Sequence, residues 1–103
     1  MNKPKTLSEY LRLVEDALVE VDEMRSIIEY EMDGPSAATE FLEPLEADLK
    51  RLQDALATGT YDFRDEDLPF MALVSKQSLE ALPFKDLLDV INWTHRTGLE
   101  TAP

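Results

Sequence analysis

Carboxylates are the reactive side chains this sequence holds in quantity, with 22 Asp and Glu against 10 Lys and Arg. Three kinds of chemistry use such groups, and each demands a pattern. A di-iron bundle needs Glu-x-x-His on two helices with every ligand turned inward. The chain has a single histidine, His95, and Asn92 stands three residues before it, so that pattern is missing. Asp62, Asp65 and Asp67 lie close together, yet they do not follow the spacing of a calcium loop and no Glu closes the twelfth position. Paired carboxylates for acid–base work need an apolar enclosure that raises one of them. The apolar rows of the chain are nearly free of acids. His95 lacks a nucleophile partner, since Ser75 and Ser78 sit in no elbow or Ser-x-x-Lys context. It shares an apolar face with Leu88 and Ile91 and reads as a structural histidine near a helix C-terminus. The three glycines, 34, 59 and 98, fall at helix ends rather than in a phosphate loop. With no cysteine there is no thiolate zinc site, iron–sulfur cluster, disulfide or cysteine nucleophile. No catalytic residue, cofactor site or metal site is predicted.

The elements that hold these residues are helices throughout. Thr6-Leu7-Ser8-Glu9 reads as a capping box. From there Leu7, Tyr10, Val14, Ala17, Val21, Met24 and Ile28 recur at spacings of three and four, a heptad seam flanked by Leu11, Leu18 and Met32. Asp33-Gly34-Pro35 predicts the stop, so helix 1 runs from about Leu7 to Asp33, about 40 Å at 1.5 Å per residue. Ser36 is placed to cap helix 2, whose seam is Ala38, Leu42, Leu45, Leu49, Leu52 and Leu56, with a Glu46–Lys50 pair on its surface. Pro44 interrupts that seam: either the helix is kinked there, or it starts near Glu43-Pro44 after a short turn. Gly59 ends it. The short link between the two predicts an antiparallel hairpin.

Residues 59–67 read as a linker in which Tyr61 and Phe63, two aromatics among charges, predict a strap packed on the hairpin. Asp65 or Asp67 is placed to cap helix 3, roughly Leu68 to Lys76. Helix 4 is expected from Pro83 to Thr97, with Phe84, Leu87, Leu88, Ile91 and His95 on its core face. Leu68-Pro69-Phe70 and Leu82-Pro83-Phe84 open the last two helices with the same grammar, proline in the first turn. The expected fold is all-α: a long antiparallel helical hairpin with two shorter C-terminal helices packed on it, bundle-like, in a single domain of residues 1–103 with loose tails at 1–5 and 99–103.

The functional reading rests on surface. A formal net charge of −12 repels phosphate backbones and anionic lipid headgroups, so neither direct nucleic-acid binding nor membrane binding is expected. The polar start, with no apolar targeting segment or membrane span, predicts a cytoplasmic protein. Trp93 falls on the far side of helix 4 from Phe84, with Val90 at its flank. Val19 and Tyr30 lie off the helix 1 seam. These four are the interface candidates. The narrow helix 2 seam covers only part of the wide helix 1 stripe, which points to a homodimer. The leading expectation is a non-enzymatic adaptor or regulatory protein that binds another protein through a helical surface. The alternative is an acidic inhibitor or nucleic-acid mimic on a basic protein, since helix 1 carries nine acids and two bases. A third, more distant reading is a small metal-dependent helical enzyme.

Overall fold

A computed structural model describes residues 3–31, 37–77 and 82–100. The described elements are α1 (Leu7–Glu31), α2 (Ala37–Thr58), α3 (Met71–Val74) and α4 (Lys85–Thr97). The expected stop at Asp33-Gly34-Pro35, the Ser36 cap, Met32 and Ser78 lie outside the described residues, as do the side chains of Ile28 and Ala38.

The start of α1 follows the capping logic with one change. The Glu9 amide donates to Thr6 Oγ1 at 3.1 Å, while Glu9 Oε2 accepts from the Lys5 amide at 2.6 Å, one residue further back than a capping box requires. α1 and α2 then run antiparallel. Tyr10 meets Tyr61 just past the end of α2, Val19 and Gln53 border one groove, and Arg25 pairs with Glu46 at 2.7 Å. As α1 advances, its partners step back along the chain. Between the two helices, Tyr10, Val14, Ala17 and Val21 face Leu42, Leu45, Leu49, Leu52 and Leu56, all buried. Leu7, expected in the seam, is instead 47% exposed. The register carries position 7 beyond the last turn of α2, so no leucine row is there to meet it. Pro44 lies inside α2, which begins at Ala37, so the helix runs through the proline and does not start at it. Gly59 takes a left-handed φ of 74°, and the Thr60 amide reaches back to the Ala55 carbonyl at 2.9 Å, a Schellman close.

The C-terminal elements fold back onto the hairpin. α3 is shorter than expected, four residues, and neither Asp65 nor Asp67 caps it; the residue before its first turn, Phe70, makes no side-chain cap. Both Leu-Pro-Phe segments do the same job: Phe70 and Phe84 stand immediately before α3 and α4 and are buried. α4 packs on α1, where the Tyr10 hydroxyl donates to the Ile91 carbonyl at 2.9 Å. Pro4 is buried, and its carbonyl accepts from the Glu100 amide at 2.9 Å, so the described parts of the two expected tails meet. The whole measures 51 × 26 × 20 Å, elongated along the hairpin. No described helix is long and apolar enough to cross a membrane.

Candidate protein-binding surface

α4 is the more enclosed of the two helices that carry interface candidates. Leu88, Val90, Ile91, Asn92, Thr94 and His95 are buried, which leaves a narrow outer strip of Asp86, Asp89, Trp93, Arg96 and Thr97. Val90 is 8% exposed and drops out as a surface residue. Its position at the margin of the buried arc resembles a flank of Trp93 in sequence, because the helical wheel does not show how far neighbouring segments wrap. Trp93 itself is 48% exposed.

What wraps α4 is the segment 61–68. The Arg64 amide donates to the His95 carbonyl at 3.1 Å, Arg96 pairs with Asp65 at 3.2 Å and Asp67 at 3.4 Å, and Asn92 donates to Asp67 at 2.9 Å while accepting from the Leu68 amide at 2.8 Å. Asp67 thus serves the strap through Asn92 rather than capping α3. Tyr61 and Phe63 meet edge to face at 4.9 Å between ring centres, and Phe63 stacks on Tyr10 at 6.0 Å. The expected packed strap is present, and Asn92, which sequence reasoning passed over, is the buried amide that clamps it. A polar residue on an otherwise apolar face was the available signal.

His95 closes the inner end of this arrangement, hydrogen-bonded through Nδ1 to the Tyr61 hydroxyl. The protons can be counted along the chain of bonds. Tyr10 spends its single hydroxyl proton on the Ile91 carbonyl, so Tyr61 must donate to Tyr10, at 3.1 Å, and Nδ1–H of His95 must donate to Tyr61. The network therefore assigns the Nδ1–H tautomer to the neutral imidazole. Burial pushes both phenols up, Tyr61 to about 12 with Tyr10 above it, and lowers the His95 pKa, an effect that the nearby Glu66 opposes and Arg64 reinforces. An open depression of about 470 Å³ lies beside the ring, lined by Tyr61, Asp62, Arg64, Glu66 and His95 among others. No group of three or more His, Asp or Glu side chains is set to hold a metal ion among the described residues.

The outer face of α1 is open in a way that α4 is not. Val19 is 54% exposed, Ile27 57% and Tyr30 92%. At 100° per residue all three fall on the side of α1 that turns away from Tyr10, Val14, Ala17 and Val21. Val19 and Tyr30, both expected at the surface, are eleven positions apart, about 16 Å along the axis. Ile27 was missed because it stands beside the seam residue Ile28; which isoleucine of the pair faces water is legible only once the buried side is known. Around these residues Asp16, Glu20, Asp22 and Glu23 are exposed. Beside Val19 the two long helices leave a groove of about 490 Å³ whose lining holds Leu18, Gln53 and three acids, Glu15, Asp22 and Glu23, with no base. Arg25 is engaged with Glu46, whose carboxyl it holds below the usual range. The surface is thus a row of apolar anchors in an acidic field.

Comparison of the chain with protein-family models, with curated proteins and with solved structures found no match to any of them.

Proposed function

We propose that this protein is a non-enzymatic adaptor that binds a basic protein partner through the outer face of α1. The observation that carries the reading is the exposure of Val19, Ile27 and Tyr30 on one side of a helix, surrounded by carboxylates. A large apolar side chain left singly in water is ordinary, whereas several gathered on one face act together as interface anchors. The acids around them select the partner: a segment presenting apolar residues ringed by Lys and Arg satisfies both parts, and the charge steers its approach. The adaptor and acidic-inhibitor expectations meet here, in a surface that is at once apolar and negative. A second copy of this chain suits it poorly, since two chains of charge −12 would bring like faces together.

The test uses a labelled synthetic amphipathic Leu/Lys helix as probe, followed by fluorescence anisotropy. Val19→Ser with Tyr30→Ser leaves the net charge unchanged and is expected to weaken binding about tenfold, the loss of two modest anchors. Equal affinity for wild type and the double variant would sink the reading, because only long-range charge would then be at work. Light scattering at micromolar concentration supplies the second readout: a mass of 11.7 kDa is expected, and a doubled mass that the same two substitutions abolish would hand the surface to a homodimer.

A further inference from the structure

Trp93 is the chain's single tryptophan, and it is not bare. The Lys3 ammonium lies 4.8 Å from the indole ring centre, and the same Nζ donates to Thr97 Oγ1 at 2.8 Å. Lys3 is brought there by the main chain, because the buried Pro4 is bonded to Glu100 across the molecule. One turn before Trp93, Asp89 is exposed, and no hydrogen bond or ion pair joins its carboxylate to any other described residue. Asp89, Trp93 and Thr97 follow at intervals of four and so form one row along α4. They border a hollow of about 360 Å³ that Met71 also lines. Its one base, Arg96, is committed to Asp65 and Asp67.

The row offers a carboxylate, an aromatic face and a hydroxyl oxygen. Each of these is a partner for a primary ammonium, through an ion pair, a cation–π contact and a hydrogen bond. Lys3 takes two of the three. We infer that the Asp89–Trp93–Thr97 row is a recognition site for a lysine side chain of a protein partner, and that Lys3 is its internal occupant, displaced when the partner's lysine binds. The occupied fraction reduces the apparent affinity for any outside lysine, so removing Lys3 exposes the full strength of the site. The site is distinct from the outer face of α1 and does not depend on it.

The full chain can be titrated with the peptide acetyl-Gly-Gly-Lys-Gly-Gly-amide while Trp93 emission is read, with the Nε-acetylated peptide as the neutral counterpart. Lys3→Ala should shift the emission of the free protein and tighten lysine-peptide binding by about two- to five-fold, the factor an exposed cation–π contact corresponds to. Lys5→Ala makes the same change in net charge away from the site and should leave the affinity at the wild-type value. The acetylated peptide should leave the emission unmoved. The inference is overturned if Lys3→Ala and Lys5→Ala bind alike, or if the acetylated peptide shifts Trp93 as far as the charged one. Lys3 is outside every helix, and unchanged far-UV circular dichroism verifies that both variants are folded. Because the readout is local to Trp93, failure here leaves the α1 surface standing, while failure of the α1 variants leaves this titration unaffected.

Discussion

Tyr10 is the residue on which the two halves of the molecule agree. Its ring fills the hairpin core and its hydroxyl is the last donor in the series that runs from His95 through Tyr61 to the Ile91 carbonyl. Tyr10→Phe keeps the ring and leaves the Tyr61 hydroxyl without its acceptor. The expected cost is about 1–2 kcal/mol, the penalty for stranding a buried polar group, and a urea midpoint equal to wild type would show that the network adds nothing. His95 makes a pH-dependent contribution whose sign follows from its lowered pKa. The unfolded chain, with a histidine pKa of about 6.5, binds a proton before the folded one does. His95 therefore supports the fold fully above about pH 6.5 and progressively less as pH falls toward its depressed folded value. The difference in stability between wild type and His95→Gln, which retains a donor for Tyr61, should narrow between pH 7 and pH 5 in paired urea titrations. A difference independent of pH would mean that burial does not lower the His95 pKa. Taking the difference matters, because the carboxylates titrate nearby and affect both proteins alike.

At the scale of elements, the long helices persist because their leucine rows meet, not because every residue suits a helix. Pro44 shows this. It stands eighth in α2, has no amide proton to give to the Glu40 carbonyl, and is still enclosed by a continuous helix. Leu42 and Leu45 on either side of it are fully buried, and a buried leucine stabilises by about 2 kcal/mol or more, enough to offset a proline. Pro44→Ala restores the hydrogen bond at an exposed site. It should stabilise the protein by about 1–2 kcal/mol, the helix gain less the entropy returned to the unfolded chain, and thermal melting would reveal it. Loss of stability instead would mean that a bend at Pro44 is needed for the packing. α3 is short because the segment expected to be helical from Leu68 to Lys76 closes into tighter turns at both ends. The Met71 amide reaches the Leu68 carbonyl at 3.0 Å, and the Lys76 and Gln77 amides reach the Leu73 and Val74 carbonyls at 3.3 and 3.0 Å, three-residue steps that leave only Met71–Val74 as α-helix.

Across the whole molecule, charge outweighs every other surface property. A net −12 spread over an elongated body of 51 × 26 × 20 Å is self-repelling, and the exposed acids of α1 concentrate it on one side. Raising sodium chloride from 20 to 500 mM shortens the Debye length from about 20 Å to about 4 Å and removes most of that repulsion. The fold should become more stable as salt rises, with a higher urea midpoint, while affinity for a basic partner falls. A midpoint that drops with salt would mean that the surface ion pairs, such as Arg96 with Asp65 and Asp67, outweigh the repulsion.

Helical period, caps and glycine stops are local properties, and they were enough to determine the all-α class, the hairpin, the strap of Tyr61 and Phe63 and the inward face of α4. Each depends only on residues within a few turns of one another. Three things were decided by tertiary structure alone. Val90 is buried and Leu7 exposed because burial at the margin of an apolar stripe is settled by how far a neighbouring segment reaches. Pro4 meets Glu100 from the other end of the fold, and no periodicity joins positions so distant. The placing of Lys3 over Trp93 follows from that meeting. Local patterns encode which side of a helix avoids water; only packing determines what else arrives to cover it.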